Sequence, residues 1–374
     1  MQLELVQFIK ANSNWEELLQ KEPYCLTISR DTLFGKSLVM FKYSQINSDF
    51  SQEIVKESRG LILEDGTWEI VSYPFRKFMN YGEPTADQID WSTASVQEKI
   101  DGSLIKVVRI GDNLLISTNG TIDAFKAPIQ NQLGCKYASF GELVSDLLKS
   151  HLGGSFPTIF REGFTYMFEL VSPWTRVVIP YPNPELYYLG SRYNQTFQEK
   201  FGGNSMLALF FPTPKCFDFS SFEACLKNAS ELPWDQEGYV VCDGNFNRVK
   251  VKSPAWIQIH HMADNGNLSY ARCLELIRNN EIGEVLAYFP EYKDQLESLK
   301  KSYEEFVQRD VDNWTRFQKE VGSESSRKEK AIWIISHFKV PASAFSVLDG
   351  KLKSVEEWYR TCSIDSLIRL LDLK

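Results

Sequence analysis

One lysine followed by a tight turn has the residue types that nucleophilic chemistry needs. The segment reads Lys99-Ile-Asp-Gly-Ser and leads into an apolar run. A lysine attacks phosphorus only as the neutral amine, so burial or nearby cations would have to lower its pKa. Gly102 would let the backbone approach a nucleotide closely. Taken alone, the segment also fits a surface β-turn with an exposed lysine.

Charged residues also interrupt three apolar runs further along the chain. Glu169 lies in Tyr-Met-Phe-Glu-Leu-Val, Glu237 precedes Gly-Tyr-Val-Val, and Lys250 and Lys252 alternate with valines. Because burying an unpaired charge is costly, such residues usually face a polar ligand, a metal or each other. The strand period of two points both lysines to one face, where they could neutralise a polyphosphate. A half-exposed strand with a solvated face is the alternative.

Short strand-like runs surround these residues and must position them. Gly, Asn, Asp and Pro bound runs of β-branched and aromatic residues, which predicts an α+β domain with mostly antiparallel strands. One helical pattern is interleaved, at residues 140–152. The strand-like runs are residues 37–41, 60–63, 104–108, 114–117, 166–171 and 238–241.

Beyond about residue 255 the pattern becomes helical. Apolar residues at helical spacing predict helices over residues 270–287, 292–321, 328–338 and 354–371. Ser354 followed by Glu357 fits a capping box. We therefore predict an N-terminal domain over residues 1–254 and an all-helical C-terminal domain over residues 255–374.

Composition limits the class of protein. The chain of 374 residues is long enough for two domains, and its net charge of -8 argues against sequence-blind coating of nucleic acid. No apolar run is long enough to span a membrane, and the N-terminus does not resemble a signal peptide. Seven scattered cysteines without a CxxC pair support neither a zinc site nor a disulfide framework, and predict a reduced, intracellular protein. The adjacent His260 and His261 could suggest a metal site, but we interpret them as ordinary surface or interdomain residues.

In this order and spacing, the motifs resemble those of covalent ligases and mRNA capping enzymes, the nucleotidyltransferases. The whole chain resembles the tRNA-repairing RNA ligase 1 family of tailed bacteriophages over about residues 35–265, and more weakly beyond. The matching length, and a helical C-terminal portion in place of an OB-fold, favour this family over DNA ligases. The segments that carry the resemblance are Phe41-Lys-Tyr, Ser58-Arg-Gly, Arg76-Lys-Phe-Met-Asn, Lys99-Ile-Asp-Gly-Ser, Phe168-Glu-Leu-Val-Ser-Pro-Trp-Thr-Arg-Val, Glu237-Gly-Tyr-Val and Lys250-Val-Lys-Ser.

The resemblance implies an ATP-dependent nucleotidyltransferase (adenylyltransferase) domain of two packed antiparallel sheets with the ATP site between them. Lys99 resembles the nucleophile that accepts AMP from ATP. Lys250 and Lys252 resemble a pair that contacts the nucleotide phosphates. Arg59 and Lys77 resemble further triphosphate contacts, in agreement with the affinity of guanidinium and ammonium groups for phosphate.

Two carboxylates and two aromatic residues complete the implied site. Glu237 resembles a metal ligand and Glu169 a ribose or metal contact, and hard oxygen ligands of this kind suit Mg²⁺. Tyr43 and Phe78 resemble residues that line the nucleotide pocket, although both could equally belong to the core.

The implied reaction joins an RNA 5′-phosphate to a 3′-hydroxyl through lysyl-AMP and adenylylated RNA. The expected cofactors are ATP and Mg²⁺, and the expected substrate is RNA, such as a broken tRNA anticodon loop. The helical domain would recognise tRNA. We expect a monomer with no membrane association, in the cytoplasm (of the host cell, if a phage encodes it). A guanylyltransferase of the capping type and a non-catalytic RNA-binding protein on a degenerate ligase scaffold are the alternatives.

The sequence departs from the family in three places. Asn119-Gly120 stands where the family commonly has Lys-Gly, so one phosphate contact is missing or supplied elsewhere. Trp256 replaces a tyrosine that follows the Lys-x-Lys strand. Tyr187 and Tyr188 occupy a segment that is aliphatic or aromatic in relatives, and either could stack on adenine.

Overall fold

The chain forms two compact units in the computed structural model, Met1–His260 and His261–Lys374. The described residues are 2–129, 134–153, 158–201, 203, 205–261, 268–288, 290–321 and 325–373, without the side chains of 258–261, 287, 288 and 291. The division between the units falls within six residues of the sequence-based boundary at 254/255. No described helix is both long enough and apolar enough to cross a membrane.

The first unit is α+β, as predicted, but its strands form three sheets where two were expected. Sheet I has the order β1-β2-β3-β4, sheet II β11-β10-β9-β7-β8 and sheet III β12-β6-β13-β14-β5. Each pairing is antiparallel except the one between β14 and β5, among the strands described. The strands are β1 Thr27–Leu33, β2 Lys36–Lys42, β3 Arg59–Glu64, β4 Ile70–Ser72, β5 Met79–Asn80, β6 Ser95–Glu98, β7 Ser103–Ile110, β8 Asn113–Thr118, β9 Phe164–Val171, β10 Glu185–Tyr193, β11 Glu199–Phe201, β12 Cys216–Phe217, β13 Gly238–Cys242 and β14 Arg248–Lys252.

The helices of this unit are short except for α4, whose predicted bounds are confirmed. Ser139 is the N-cap that precedes α4, and its hydroxyl accepts a hydrogen bond from the Glu142 N–H. Leu143, Val144 and Leu148 then recur at helical spacing and are fully buried against sheet II. The helices are α1 Glu4–Ala11, α2 Trp15–Leu19, α3 Glu53–Glu57, α4 Phe140–Leu152, α5 Phe222–Ser230 and α6 Pro254–His261.

The register of sheet III brings the distant motifs together. Tyr239 on β13 lies opposite Glu98 on β6, and Gly238 lies opposite Lys252 on β14. Lys99 follows β6 directly, and its backbone N–H donates to the Gly238 carbonyl at 2.8 Å. Motifs separated by about 140 residues in the chain therefore meet at one end of the sheet.

The alternation of β14 separates its valines from its basic residues. Val249 and Val251 are buried on the face that packs with α5. Arg248, Lys250 and Lys252 consequently share the opposite face of sheet III. This is the arrangement that the Val-Lys-Val-Lys pattern predicted.

The second unit is helical, with more breaks than predicted. The segment 270–287 is two helices, separated near Asn280, whose φ of +55° cannot continue a helix. Segment 354–371 is also two helices, and the helix over residues 341–348 was not predicted. The helices are α7 Tyr270–Arg278, α8 Ile282–Tyr288, α9 Lys293–Glu320, α10 Arg327–His337, α11 Pro341–Leu348, α12 Val355–Thr361 and α13 Ile364–Leu370.

Serine caps begin several of these helices. The Ser354 hydroxyl accepts from the Glu357 N–H, as predicted, but the Glu357 carboxylate accepts from the Lys353 N–H, outside a strict capping box. The reciprocal box is found instead at the start of α10, between Ser326 and Glu329.

Candidate active site

A cavity of about 170 Å³ lies between sheets II and III and contains most of the predicted site. Lys99 opens onto it at the end of β6, whereas Glu169 reaches it from β9 and Val240 from β13. Six of the ten predicted residues line it: Arg59, Phe78, Lys99, Glu169, Lys250 and Lys252. The other lining residues are Phe75, Gln97, Glu98, Ile100, Leu104, Leu189, Phe201, Pro214, Val240 and Arg248.

Glu237 joins two of the predicted lysines through one buried carboxylate. Its Oε2 lies 2.7 Å from Lys99 Nζ, and its Oε1 lies 3.6 Å from Lys252 Nζ. The exposed fractions of the side chains are 4% for Glu237, 8% for Lys252 and 21% for Lys99. The Lys252 ammonium also lies 4.5 Å from the centroid of the Trp256 ring. The carboxylate thus fixes the position of Lys99 while leaving the group with a net positive charge.

Phe78 separates two further cations at the cavity wall. The Arg59 guanidinium carbon lies 5.2 Å from the centroid of this ring, and Lys250 Nζ lies 5.5 Å from it. Arg59 Nη1 is buried and has no hydrogen-bond partner among the described residues. Orphaned buried donors are rare in folded proteins, and here the donor belongs to a residue of the cavity wall. Cations around a pocket, with the Arg59 Nη1 donor unused, suit an anionic ligand.

Glu169 is the one carboxylate in the wall provided by sheet II. Burial raises its pKa to about 7, and the nearby Lys99 partly opposes this effect while Glu237 adds to it. Glu169 therefore exchanges its proton near neutral pH, and its carboxyl can accept or donate a hydrogen bond.

Asp101 and Gly102 build the turn after Lys99. The buried Asp101 carboxylate accepts hydrogen bonds from the backbone N–H groups of Val178 at 2.9 Å and Ile179 at 2.6 Å. At Gly102, a Cβ atom would lie 2.4 Å from the Leu170 carbonyl oxygen. The close approach that requires this glycine is thus to strand β9, not to a nucleotide as we expected. An exposed surface turn, the alternative interpretation of this segment, is excluded.

Tyr43 and Lys77 lie together, outside the lining of the Lys99 cavity. Lys77 Nζ is 5.1 Å from the ring centroids of both Tyr43 and Phe50, and 3.2 Å from Gln45 Oε1. Lys77 lines a larger neighbouring cavity of about 470 Å³, which shares Phe78 with the first. Contact between a nucleotide and Tyr43 or Lys77 stays a prediction of the resemblance.

The tyrosines of β10 do not form the cavity wall. Tyr188 is fully buried in the core, with its ring 5.2 Å from that of Phe168, so it cannot stack on a ligand in the cavity. Tyr187 is half-buried and does not line the cavity. Leu189, two residues further along and on the same face of β10 as Tyr187, does so instead.

Sequence reasoning missed a buried ionic group beside the site. Glu199 accepts hydrogen bonds from both Arg192 and Arg248. Burial opposes the ionisation of Glu199, but the two arginines outweigh it and hold the pKa below its usual range. Arg248 lines the cavity. The alternation of Arg-Val-Lys-Val-Lys could have revealed Arg248, since it shares a face with Lys250.

The carboxylates fit a magnesium ion only if the ligand supplies further oxygens. Within the described part of the chain, no group of three or more His, Cys, Asp or Glu side chains is placed to hold a metal. The side chains of His260 and His261 lie outside the described residues. Glu169 and Glu237 are hard oxygen donors, and Mg²⁺ usually combines one or two carboxylates with phosphate oxygens and water. This donor set is compatible with such an ion bound together with a polyphosphate.

Comparison with known proteins identifies the family. The family model described as RNA ligase matches residues 57–256, more than half of the chain. The chain belongs to the RNA ligase family. The matched range includes nine of the ten predicted site residues, and only Tyr43 lies before its start.

Individual RNA ligase relatives are distant and cover different shares of their length. A protein of Autographa californica nuclear polyhedrosis virus, named as a bifunctional polynucleotide kinase/RNA ligase, is 30% identical over 68% of this chain and 38% of its own. An RNA ligase of Rhodothermus phage RM378 is 22% identical over 78% of this chain and 79% of its own. The RNA ligase 1 of bacteriophage TS2126 is 28% identical over 56% of this chain and 53% of its own. The chain thus spans well under two thirds of the first of these relatives.

Solved structures resemble the chain more weakly. An archaeal ATP-dependent RNA ligase is similar with a TM-score of 0.47 and 13% identity, over 88% of this chain and 76% of that one.

Proposed function

We propose that this protein is an ATP-dependent RNA ligase that becomes adenylylated on Lys99 and transfers the AMP to RNA ends. The observation that carries the proposal is the group formed by Lys99, Glu237 and Lys252 beside a cavity rich in cations. Membership of the RNA ligase family and the names of the viral relatives support the same activity.

In the first step, the Lys99 nitrogen attacks the α-phosphorus of ATP, and the bond to the pyrophosphate oxygen breaks. An ammonium has no free electron pair, so Lys99 must lose a proton before it attacks. Glu237 accepts a hydrogen bond from that nitrogen at 2.7 Å and is therefore placed to receive the proton. Lys250, Lys252 and the buried Arg248 would hold the phosphates and stabilise the charge that develops on the departing pyrophosphate.

In the next two steps, the AMP moves to an RNA 5′-phosphate, and a 3′-hydroxyl then displaces it to form the phosphodiester. Glu169, which carries its proton part of the time near pH 7, would contact the ribose of the nucleotide. A magnesium ion held by Glu169 and Glu237 together with phosphate oxygens would neutralise phosphate charge. Arg59, Lys77, Tyr43 and Phe78 would complete the nucleotide site.

Intact-mass analysis after incubation with magnesium and either ATP or GTP tests this proposal. We expect added AMP with ATP, no adduct with GTP, and loss of the adduct in acid, as for a phosphoramidate. Lys99→Ala should fold and show no adduct, since no other amine occupies its position. Lys215→Ala, which removes an exposed lysine next to β6, is the matched control and should be adenylylated normally.

The results separate the competing functions. An adduct formed with GTP alone would favour a capping-type guanylyltransferase, whereas the absence of any adduct on the unmodified protein would favour a non-catalytic RNA-binding protein. An AMP adduct that persists in Lys99→Ala would show that another residue is the nucleophile.

We further propose that the physiological substrate is a broken tRNA loop and that the helical unit contacts it. Two of its basic residues are partly neutralised, since Arg327 and Lys351 lie 2.8 and 3.7 Å from Asp349. Phosphate contacts position an RNA without reading its sequence, so their loss should change substrate preference more than chemistry. The basic residues proposed for this surface are Arg327, Lys328, Lys330, His337, Lys339, Lys351 and Lys353.

Full-length variants test the role of the helical unit. Lys328→Glu combined with Lys353→Glu should lower the preference for a nicked tRNA loop over linear RNA, with unchanged lysyl-AMP formation. Glu304→Gln on α9 is a control of similar exposure. If the double variant keeps the preference, the helical unit does not recognise tRNA. The monomeric state and the cytoplasmic location also stay predictions.

A further inference from the structure

Lys106 is a buried lysine on β7 to which the proposed reaction assigns no role. Its side chain is fully inaccessible, and Nζ donates to the Gly60 carbonyl, its one hydrogen bond among the described residues. Burial, with the nearby positive charge of Arg59, lowers the pKa of Lys106 to about 7. A buried amine with donors left unused is costly to a fold, which suggests that its charge or its contact serves another purpose.

Further polar atoms near Lys106 also lack partners. Arg59 Nη1, Ser117 Oγ and Asn119 Oδ1 are buried without hydrogen bonds to any described residue. Ser117 lies directly opposite Lys106 in the β7–β8 ladder. Three orphaned atoms on residues that neighbour one buried lysine are unusual, because nearly all buried polar atoms in folded proteins are paired.

Gly60 is the point at which these residues meet. Its φ is +77°, and a Cβ atom there would lie 2.9 Å from Asn119 Cα and 2.9 Å from Lys106 Nζ. Only glycine fits this position, both for its backbone conformation and for the space available. The junction joins β3 of sheet I to β7 and β8 of sheet II.

The Lys106 hydrogen bond acts on the carbonyl of Gly60, the residue that directly follows Arg59. Arg59 is the first residue of β3, and its guanidinium lies beside Phe78 in the wall of the Lys99 cavity. Fixing the Gly60 carbonyl therefore fixes the backbone from which the Arg59 side chain extends. When the Lys106 amine carries its proton, which the phosphates of a bound nucleotide would favour, it also adds positive potential behind Arg59, in a low-dielectric interior where charge acts strongly.

We propose that Lys106 is a positioning residue for the phosphates of the nucleotide: it holds Arg59 in the cavity through the Gly60 carbonyl and adds positive charge behind it. This rests on the proposed function, since it requires a nucleotide in the Lys99 cavity. Lys42 is the competing source of such charge. It is exposed, lies opposite Arg59 on β2, and has its Nζ 3.4 Å from where a Cβ of Gly120 would be.

Two measurements test the role of Lys106. Calorimetric titration with ATP in a Lys99→Ala background reports binding alone, and single-turnover adenylylation with Lys99 intact reports the half-saturating ATP concentration and the maximum rate. Lys106→Met, which keeps the volume but removes the donor and the charge, should weaken ATP binding about tenfold and raise the half-saturating concentration to match. We expect the maximum rate to change less than threefold and the melting temperature not to fall.

Two further variants separate positioning from simple packing. Lys106→Gln is neutral yet can still donate to the Gly60 carbonyl, so it should retain part of the affinity; it also serves if the methionine variant does not fold. Asn119→Lys, added to Lys106→Met, places a new amine at the same junction and should recover most of the lost affinity. Neither recovery is expected if Lys106 only fills space.

The outcomes that would overturn the proposal are distinct. Unchanged ATP affinity in Lys106→Met, or a loss that follows a lower melting temperature and that neither second variant reverses, would reduce Lys106 to a structural residue. A tenfold loss in Lys42→Met with none in Lys106→Met would assign the effect to the exposed lysine. If the protein with Lys106 intact neither binds ATP nor forms an adduct, the proposed function itself fails, and this inference with it.

Discussion

The two units of this protein differ in how many charged groups they bury. In the first unit Lys106, Glu237 and Lys252 are all buried, and the orphaned Arg59 Nη1 belongs to the wall of the Lys99 cavity. In the helical unit, Asp310 is the one buried charged side chain among the described residues. Its carboxylate accepts from the backbone N–H groups of residues 339 and 340 and from the Tyr359 hydroxyl. A satisfied buried charge indicates a structural role, whereas an unsatisfied group indicates a ligand site.

The exposed charges follow the same division. Along α9, lysines and glutamates pair at i,i+4 spacing, as Lys293 does with Glu297 and Lys300 with Glu304. Such pairs each contribute a few tenths of a kcal/mol and bind nothing. The helical unit thus pairs many exposed charges within its own fold, and the first unit gathers an excess of cations around the Lys99 cavity.

The largest effect should come from Asp310→Ala. The variant leaves two backbone N–H groups and the Tyr359 hydroxyl buried without acceptors, which should lower the free energy of unfolding of the helical unit by about 3–5 kcal/mol. Chemical denaturation and limited proteolysis of the full-length protein would measure this change. Tyr359→Phe removes one hydrogen bond and should cost about 1 kcal/mol. If Asp310→Ala abolishes lysyl-AMP formation in protein that stays folded, the separation of roles is wrong.

Lys252→Ala and Lys250→Ala should slow lysyl-AMP formation about 10²-fold or more, which corresponds to about 2.7 kcal/mol in the barrier. Each removes a preorganised cation from the cavity, and Lys252→Ala also leaves Glu237 paired with Lys99 alone. Rapid-quench measurement of the adduct at saturating ATP would give the rates, with Lys215→Ala as the control. Near-normal rates in both variants would remove these lysines from the site.

Glu169→Gln should change the pH dependence of stability. The folded-state pKa of about 7 lies above the ordinary value of 4.5, so the folded protein binds this proton more tightly than the unfolded chain. The stability linked to this proton is present below pH 4.5 and is lost as pH rises through 7. As pH rises from 5 to 8, the free energy of unfolding of the variant should therefore increase by about 1–3 kcal/mol relative to that of the native protein. Glu57, whose burial also raises its pKa to about 7, is present in both proteins and cancels in the difference.

Denaturant unfolding of both proteins at pH 5, 6.5 and 8 would measure this gain. Parallel stability curves for the two proteins would contradict a pKa of Glu169 that folding raises.

The smallest effect is expected for Lys301→Ala on α9. Its partner Glu305 lies 4.0 Å away, and both side chains are well exposed. The unfolding free energy should change by less than about 0.5 kcal/mol, and the difference should shrink in high salt. A loss above 1 kcal/mol would mean that the helical unit depends on its surface pairs more than its core suggests.

Much of the first unit could be predicted from its sequence because its strands are apolar runs bounded by turn residues. All six predicted runs are strands, and Glu169 within one of them reaches the cavity, because the alternation of side chains along a strand is a local rule. Asp101 shows where such rules stop. Its sequence neighbours suggest a turn, but its partners at residues 178 and 179 belong to another part of the chain.

Three features of the site could not be predicted for physical reasons. Lys106 is surrounded by Ile and Val, and no local pattern reveals that its amine meets Gly60 from another sheet. Leu189 lines the cavity while Tyr187 on the same strand face does not, and this depends on where β10 lies beside β9, which the local pattern does not reveal. Lys77 adjoins Phe78 in sequence, yet only Phe78 also reaches the Lys99 cavity, because neighbours on an extended chain point in different directions.

The turn between β13 and β14 has a consequence for the evolution of the chain. Asp243 shapes this turn by accepting from the backbone N–H groups of Asn245 and Asn247. Loss or gain of one residue there would shift β14 by one position and turn Lys250 and Lys252 towards the valine face. Single-residue insertions and deletions in residues 243–247 should therefore be purged by selection, while two-residue changes that preserve the alternation are tolerated. Loop lengths among relatives should differ here by even numbers.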